Sequence, residues 1–376
     1  MAIAGFATPA GTRRYRTRQA DCHPTHFRDL QGLTASSIGC GTYLGDPDDA
    51  TDQLYTEALE HALARGANVL DTASNYRCQR SERTVGQTLE RLTREGRLAR
   101  DEVIVCTKGG YLPYDGDPPA DPGRYIVETF LRPELLRYDD LVAGCHCLAP
   151  RYLEHQLTIS LKNLRVETVD IYYLHNPEQQ LDEIPRETFL SRMEACFQFL
   201  ESQAAAGRIR LYGTATWNGY RLNPQHHGYL SLQEFVGLAR RVGGEHHHFR
   251  VVQLPFNLSM PEAYAFKNQS VDGQMLSVGE AAARLGMSVV TSAALLQSQL
   301  TTLPQPMQQW IPGLQTDAQR AIQFARSTPG ITTALTGMKR TAHVEDNLML
   351  TRLPTLTADA IERLFARTQD APAPQR

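Results

Sequence analysis

The chain has 376 residues, of which 41% are hydrophobic and 21% are charged, so it can bury a large globular core. Its 38 Lys and Arg residues nearly balance 41 Asp and Glu residues, and a net charge of −3 without a nucleic-acid-binding motif argues against a nucleic-acid partner. No stretch holds about 18 consecutive apolar residues, so we predict no membrane-spanning helix.

The N-terminal residues predict an extension, which we assign to residues 1–26. MAIAGFATPAGTRRY lacks a basic region followed by an apolar region, so no secretory signal is expected. The basic run GTRRYRTR (11–18) is interpreted as a solvated, partly disordered tail rather than a phosphate-binding arm. Seven scattered cysteines fit a reducing compartment, and we expect a cytoplasmic location.

Eight short apolar runs predict strands that are buried on both faces, because they mostly lack in/out alternation and are bounded by turn residues. In chain order they are SSIGCGT (36–42), ANVLD (67–71), EVIVCTK (102–108), VDIYYLH (169–175), RIRLYGT (208–214), VVQLPF (251–256), MSVVTS (287–292) and ITTALTG (331–337).

Amphipathic helices are predicted between these strands. Thr51 is the expected cap of the first helix and Gly66 its expected end. Apolar spacing predicts further helices after Ser81, over 153–164 and over 189–200. Fewer residues support helices near 231–242, 277–285, 317–327 and 341–350.

Eight strand–helix units suggest either a closed (β/α)8 barrel or two doubly wound sheets. The second usually carries a G-x-G-x-x-G turn after a strand, which is absent here, so we predict an α/β fold of the (β/α)8 TIM barrel type over residues 27–370. Residues 110–150 exceed what the barrel needs. Since a loop of this length is usually functional or disordered, and this one is rich in aromatic and leucine residues, we interpret it as a folded lid.

Ionisable residues stand where predicted strands end. Asp71 ends the second strand, Lys108 the third and His175 the fourth, and Tyr76 follows Asp71 by five residues. In such barrels the active site lies at the carboxyl ends of the strands, so these four residues, named the tetrad below, are expected to converge. Singly, each residue also has a structural interpretation: a turn cap, a backbone hydrogen bond, a solvated charge or simple packing.

The residue types of the tetrad suit proton donation to a carbonyl oxygen. A nearby ammonium is expected to move the high pKa of a tyrosine toward the working range. Lys108 would need a counter-charge when buried, which Asp71 can supply. His175 can donate a hydrogen bond that orients a substrate oxygen.

The chain resembles the aldo-keto reductases in motifs over roughly residues 27–352. The motifs are LDTASNYRCQRSERTVG, VIVCTKGG, VDIYYLHNP, VVQLPFN and GMKRTAHVEDNL, in family order and spacing. The resemblance implies an NADPH-dependent oxidoreductase that reduces an aldehyde or ketone, or runs the reverse reaction, on a small-molecule carbonyl or alcohol substrate. It implies that Tyr76 is the general acid, that Asp71 and Lys108 tune it, and that His175 positions the carbonyl.

The resemblance also implies a nicotinamide cofactor. A glycine turn at Gly337 precedes a helix start suited to phosphate, and Lys339, Arg340 and His343 add positive charge, so NADP(H) is favoured over NAD(H). In the family this segment holds the adenosine 2′-phosphate, and Asp346 and Asn347 occupy adenine-contacting positions. The other implied cofactor contacts are Gly41, Thr42, Thr216, Gln253, Ser292, Leu295 and Gln297.

Two positions depart from the family pattern. The family usually ends its fifth strand with Ser-Asn, which holds the nicotinamide carboxamide, whereas this chain has Ala215 and Thr216. Many relatives carry a nicotinamide-stacking tyrosine after strand 7, where this chain has Ser292. Trp217 and Phe256 are the candidates to compensate.

Two further interpretations stay open or are disfavoured. A cofactor-sensing regulatory or binding subunit with little turnover is the alternative function, and the departures would fit slow catalysis. Cys145-His146-Cys147 is the sharpest candidate metal cluster, but its spacing is tight for zinc and no further ligands are evident, so no metal is predicted. Substrate identity and oligomeric state are not predicted.

Overall fold

The computed structural model describes residues 2–369, so the outer limits of the predicted domains, residues 1 and 370, lie outside the described residues. All eight predicted barrel strands are present. The strands of this part of the chain are β1 (Phe27–Leu30), β2 (Leu33–Ser36), β3 (Ile38–Gly41), β4 (Val69–Asp71), β5 (Ile104–Gly109), β6 (Leu141–Val142), β7 (His146–Cys147), β8 (Val169–His175), β9 (Ile209–Ala215), β10 (Phe249–Pro255), β11 (Gln269–Val271), β12 (Gln274–Leu276), β13 (Ser288–Ser292) and β14 (Thr333–Gly337).

The eight predicted helices between the barrel strands are also confirmed. One detail is wrong: the cap of the first of them is Asp48, whose Oδ1 accepts a hydrogen bond from Thr51 N at 2.7 Å. The α-helices within residues 2–369 are α1 (Pro9–Arg18), α2 (Asp49–Ala64), α3 (Arg80–Arg94), α4 (Pro122–Ile126), α5 (Pro150–Leu164), α6 (Arg186–Ala205), α7 (Leu232–Gly243), α8 (Glu262–Ala265), α9 (Val278–Arg284), α10 (Pro306–Trp310), α11 (Asp317–Ser327), α12 (Thr341–Leu348) and α13 (Ala358–Gln369).

The barrel strands pair in parallel and close on themselves in the order β3, β4, β5, β8, β9, β10, β13 and β14. The register brings the functional strand ends to one level, since Gly41 pairs with Asp71 and His175 pairs with Ala215. The (β/α)8 barrel is therefore confirmed, and the carboxyl ends of all eight strands form one mouth.

Both faces of the barrel strands are buried, as their continuous apolar runs predicted. Alternate residues such as Leu70 and Val105 face a large cluster shared with the helices. The other face fills the barrel interior. The barrel-strand residues of that interior cluster are Val69, Ile104, Cys106, Ile171, Tyr173, Ala215, Val251, Val290 and Leu335.

The interpretation of the basic N-terminal run as a solvated tail is wrong. Residues 9–18 form α1, and the buried Tyr15 donates a hydrogen bond to Leu63 O at 2.5 Å. Arg14 and Arg18 form ion pairs with Glu102. Because these partners lie between 48 and 88 residues away in the chain, the local charge pattern does not reveal them.

The hairpin of β1 and β2 covers the amino end of the barrel. Its Leu30 and Ala35 are buried and belong to the interior cluster. This closure leaves the opposite, carboxyl end as the open mouth of the barrel.

The insertion over residues 110–150 is folded, as predicted. It contains α4, a π-helical turn at Val127–Leu131 and the short ribbon of β6 and β7. Phe130, Leu136 and Cys147 form a small core there with Tyr152 of α5. The insertion therefore packs against the outside of the barrel at α5 and has a core of its own.

No helix within residues 2–369 combines the length and the apolar composition that crossing a membrane requires.

Candidate active site

The structure brings the four tetrad residues together at the mouth of the barrel. Lys108 Nζ forms an ion pair with Asp71 and donates to Thr72 O at 2.9 Å. The same nitrogen lies 4.9 Å from the centroid of the Tyr76 ring. The Tyr76 ring lies edge-to-face against His175, with centroids 5.8 Å apart. The predicted convergence of three strand ends and one loop is thus present.

Asp71 and Lys108 are buried, with 3% and 1% of their surfaces exposed. Burial alone would lower the pKa of Lys108, but the adjacent Asp71 carboxylate and the Tyr76 oxygen together outweigh burial and raise that pKa. Gln253 Nε2 donates to the second carboxylate oxygen of Asp71 at 2.8 Å. The ammonium therefore carries a fixed positive charge beneath Tyr76.

The expectation that Lys108 brings the pKa of Tyr76 down into the working range is wrong for this arrangement. Burial raises the pKa of Tyr76, and the Lys108 charge offsets only part of that effect. Asp71, which lies behind Lys108, also raises the pKa of the phenol. Tyr76 is consequently a neutral phenol near neutral pH, a state in which it can donate its proton.

His175 is held as a neutral imidazole. Burial lowers its pKa well below the ordinary value for histidine, and the nearby Lys108 charge lowers it further. Its Nδ1 atom has no hydrogen-bond partner among the described residues. A neutral ring can present one N–H donor without bringing a second positive charge to the site.

A turn of residues 77–79 follows Tyr76, and all three of its residues adopt the left-handed backbone conformation. Such conformations are strained for residues other than glycine and persist when the surroundings hold them in place. Three hydrogen bonds do so: Arg77 Nε to Asp46 O (2.9 Å), Gln79 Nε2 to Tyr114 O (3.0 Å) and Gly116 N to Cys78 O (2.9 Å). The turn is held from one side by the loop after β3 and from the other by the insertion.

A cavity of about 410 Å³ opens over the tetrad. Eight of the predicted cofactor-binding residues line it: Gly41, Thr42, Thr216, Gln253, Ser292, Leu295, Gln297 and Gly337. Sequence reasoning missed other lining residues, including Tyr43, Asn75, Tyr111 and Asn176. These residues closely follow barrel strands or, for Asn75, precede Tyr76, so the rule that active sites lie at carboxyl strand ends could have identified them.

The structure also shows what surrounds the two departures from the family pattern. Thr216 Oγ1 is buried without a hydrogen-bond partner among the described residues, so a hydroxyl is available beside the cavity. Phe256 is stacked on Phe324 in the core, with centroids 5.3 Å apart, and does not line the cavity. Trp217 does line the cavity, so of the two candidate aromatic residues only Trp217 is placed to contact a ligand there.

The remaining predicted cofactor residues do not line the cavity: Lys339 and Arg340 lie just before α12, and His343, Asp346 and Asn347 lie on it. That helix begins after Arg340 without a side-chain cap, so its first N–H groups are open to a ligand. The side chain of Lys339 lies close to Gly45 in the loop after β3. Its Nζ atom is 3.5 Å from the position that a Cβ on Gly45 would occupy. His343 is exposed and Asn347 is buried.

Asp346 already has hydrogen-bond partners within the protein. Its Oδ2 accepts from Thr316 Oγ1 at 3.0 Å, and its Oδ1 accepts from Gln319 Nε2 at 2.8 Å. This carboxylate therefore ties α12 to the start of α11.

The Cys145-His146-Cys147 sequence lies in the neck of the insertion, where its chain ends meet. His146 and Cys147 are buried, and Cys145 is half-buried. Within residues 2–369 no group of three or more His, Cys, Asp or Glu side chains is arranged to hold a metal ion.

Known proteins resemble this chain in sequence. The model of the aldo/keto reductase family matches residues 37–223. An aldo-keto reductase of Alternaria alternata is 30% identical over 161 residues, which is 42% of this chain and 41% of the relative. The NADH-specific methylglyoxal reductase of Escherichia coli is 27% identical over 189 residues, covering 49% of each chain. The matched region thus spans about half the length of these relatives.

Solved structures resemble the chain over nearly its whole length. An aldo/keto reductase from Klebsiella pneumoniae, in complex with NADP and acetate, has a TM-score of 0.58 at 20% identity and covers 94% of this chain and 97% of its own. An aldo-keto reductase from Bacillus halodurans has a TM-score of 0.61 at 18% identity, with coverage of 93% and 98%. At such identities these matches show the shared barrel fold. Together with the family match in sequence, they show that this chain belongs to the aldo/keto reductase family.

Proposed function

We propose that the protein is an NADPH-dependent oxidoreductase that reduces an aldehyde or ketone to an alcohol, or runs the reverse reaction. The observation that carries this proposal is the Lys108 ammonium, which is paired with Asp71 and lies 4.9 Å from the ring of Tyr76 at the floor of the cavity. Phenol, ammonium and neutral imidazole together suit a carbonyl oxygen that gains negative charge.

In the proposed mechanism the reduced nicotinamide, when bound, supplies a hydride to the carbonyl carbon. His175 donates a hydrogen bond that orients the carbonyl oxygen and draws off electron density. Tyr76 gives that oxygen its proton, and Lys108 stabilises the phenolate that Tyr76 becomes. Asp71 keeps Lys108 protonated and in place. In the reverse direction the same phenolate accepts the proton of an alcohol.

The residues of the cavity fit a nicotinamide cofactor. The unpartnered hydroxyl of Thr216 can bond a carboxamide, and Gln253, which gives one of its two amide hydrogens to Asp71, keeps the other. Farther out, the uncapped start of α12 and the side chains of Lys339 and Arg340 would hold phosphate. We therefore propose NADP(H) rather than NAD(H), in line with the NADP-bound relative from Klebsiella pneumoniae. NAD(H) is the alternative cofactor, since the relative from Escherichia coli is NADH-specific.

The lining of the cavity also bears on the substrate. Among residues 2–369, Asp71 is the only residue lining this cavity that carries a formal charge, and Lys108 neutralises it. Two of the lining residues are exposed aromatic side chains, Tyr43 at 54% and Trp217 at 38%. A carboxylate on the substrate would find no free cation here, so we propose that uncharged carbonyl compounds are preferred.

The predicted role of the insertion as a lid is kept as a proposal, but it is limited to the part of the insertion that lies near the cavity. Only Tyr111 of residues 110–150 lines the cavity, while other parts of the insertion contact α3, α5 and α6. We propose that the insertion shapes the substrate pocket through this one residue and through the turn of residues 77–79 that it supports.

A cofactor-sensing binding subunit is the second candidate, and Ala215 favours it because alanine has no side-chain hydrogen bond for a carboxamide. The deciding experiment is titration with NADPH and NADH, followed by carbonyl screening against NADPH absorbance. The screen includes methyl 4-formylbenzoate and 4-formylbenzoate, which differ in charge at the far end of the ring. NADPH oxidation with the ester preferred supports the oxidoreductase. NADPH binding without turnover of any carbonyl supports the sensor, and equal turnover of ester and acid contradicts the preference for uncharged substrates.

A further inference from the structure

A histidine in the neck of the insertion contacts the last residue of β8. In the neck, Leu112 N donates to Cys145 O and Cys147 N donates to Gly110 O, both at 2.8 Å. His146 lies between these two hydrogen bonds and is fully buried. The neck thus holds this side chain against the strand that ends in His175.

The contacts of His146 determine its tautomer. Nε2 lies 2.7 Å from the backbone oxygen of His175, an atom that can only accept, so Nε2 carries the hydrogen. Nδ1 accepts from the Gln180 side-chain amide at 2.8 Å. Gln180 is oriented in turn by Arg192, whose Nη1 donates to Gln180 Oε1 at 2.6 Å. Burial lowers the pKa of His146 to about 4, so the neutral form persists near neutral pH.

The ring of Tyr111 lies between His146 and His175. It meets both edge-to-face, with centroids 4.9 Å from His146 and 5.0 Å from His175. Its hydroxyl donates to Gln179 Oε1 at 2.5 Å and accepts from Asn176 Nδ2 at 3.0 Å. The three rings are therefore packed as one unit at the edge of the cavity.

The backbone at Gly110 allows this close approach. A Cβ there would stand 2.9 Å from His146 Nε2 and 3.0 Å from His175 O, and Gly110 has a φ of +143°. Both the space and the conformation require glycine. The local chain is thus built to bring the His146 ring onto the His175 carbonyl.

We infer that His146 is a positioning residue of the active site: it holds the backbone of His175 and the ring of Tyr111 and so couples the insertion to the tetrad. The inference rests on the proposed function for its catalytic consequence. Without the His146 side chain, the backbone carbonyl of His175 loses its buried hydrogen-bond donor. The ring of Tyr111 also loses the edge-to-face contact that holds it in place. Displacement of a catalytic group by a fraction of an ångström to one ångström lowers turnover strongly.

The test compares His146→Leu with His146→Gln, because a glutamine amide can still donate to the His175 carbonyl and accept from Gln180. His26 offers a matched control, since it is equally buried and donates from Nε2 to Gly66 O at 3.0 Å in the distant amino-end region. Turnover with NADPH and a carbonyl substrate, the Kd for NADPH and thermal unfolding are measured for all variants.

We expect His146→Leu to lower kcat roughly 10- to 100-fold while the Kd for NADPH stays within about twofold. His146→Gln should recover most of kcat, and His26→Leu should lower Tm without lowering kcat. Unchanged kcat in His146→Leu, no recovery in His146→Gln, or an equal loss in His26→Leu would overturn the inference.

A second readout does not depend on turnover. In protein with labelled histidine, NMR resonances of the His175 ring should move in His146→Leu and return in His146→Gln, while His26→Leu leaves them in place. Unmoved His175 resonances in His146→Leu overturn the inference even if the protein reduces carbonyls. Moved resonances in a protein that reduces no carbonyl would refute the proposed function but leave the positioning role intact.

Discussion

The Lys108 ammonium lies 4.9 Å from the centroid of the Tyr76 ring. This relationship joins a strand end to a loop residue, and it places a fixed positive charge beside the phenol that we propose as the general acid. The charge does not make the free phenol acidic, because burial raises its pKa by more than Lys108 lowers it. Its proposed value lies in stabilising the phenolate once the proton has left.

The first prediction concerns Tyr76→Phe, which removes one oxygen and keeps the ring contacts with Tyr43 and His175. The fold and the NADPH affinity should survive. Carbonyl reduction should fall by about 10²–10⁴, the usual contribution of a placed general acid. Stopped-flow NADPH oxidation with a good substrate measures the effect. Turnover at the unmodified rate would show that Tyr76 is not the proton donor.

The second prediction concerns Lys108→Met, which leaves the buried Asp71 carboxylate without its charge partner. Breaking a buried pair in this way destabilises a fold by about 3–5 kcal/mol, and carbonyl reduction should also be lost. The double variant Asp71→Asn, Lys108→Met should regain most of the stability, since no buried charge is left, but none of the activity. Urea unfolding and NADPH oxidation report the two effects separately.

A matched control for this prediction is the buried pair of Arg100 and Asp170, whose Nη2 and Oδ2 atoms are 2.8 Å apart near the amino end of the barrel. Arg100→Met should destabilise the protein similarly while the remaining folded protein keeps its kcat. If Lys108→Met behaves like Arg100→Met in both respects, Lys108 has only a structural role.

The third prediction concerns the choice between NADPH and NADH. Replacing both Lys339 and Arg340 with alanine should weaken NADPH binding and leave NADH binding nearly unchanged, because only NADPH carries the additional phosphate. Arg132→Ala, which alters an exposed arginine on the insertion, serves as the control and should affect neither cofactor. Cofactor titration by fluorescence gives six dissociation constants, two for each of the three proteins. Equal affinities of the unmodified protein for both cofactors would contradict the prediction.

The fourth prediction concerns acid stability and His26, which lies far from the proposed active site. Burial lowers the pKa of His26 to about 3, whereas the unfolded chain has an ordinary histidine value near 6.5. Between these values the unfolded state binds the extra proton, so stability is lost as the pH falls below about 6.5. From pH 7 to pH 5 this one group should remove about 2 kcal/mol of the free energy of unfolding.

Urea unfolding of the unmodified protein and of His26→Leu at both pH values isolates this contribution. The leucine variant should be less stable at pH 7, since it lacks the hydrogen bonds to Gly66 and Ser37. Its disadvantage should shrink by about 2 kcal/mol at pH 5. A difference between the two proteins that does not vary with pH would show that His26 is not held neutral by the fold.

The barrel was predictable from sequence because its signals are local and repeated. Each strand is an apolar run buried on both faces, each helix has its own spacing, and the rule that active sites lie at carboxyl strand ends located Asp71, Lys108 and His175. The resemblance to a family supplied the roles of Tyr76 and of the cofactor residues, eight of which line the cavity.

Other features depended on partners distant in sequence. From sequence, the basic run 11–18 is interpreted as a solvated tail. In the fold it is held by ion pairs to Glu102 and by a hydrogen bond to the backbone of Leu63. His146, considered from sequence only as an unconvincing metal ligand, becomes a contact of His175 because the two chain ends of the insertion pair at its neck. No local pattern encodes either contact.

By itself, the sequence determined which segments form the barrel and which residues stand at its carboxyl end, because periodicity, turn residues and chain order are properties of neighbouring positions. Only the tertiary structure decided the state of those residues. The raised pKa of Tyr76, the neutral His175 and the ion pair of Lys108 all depend on burial and on distances between atoms. Desolvation and Coulomb interactions act through space, and the chain positions that create them become neighbours only after folding.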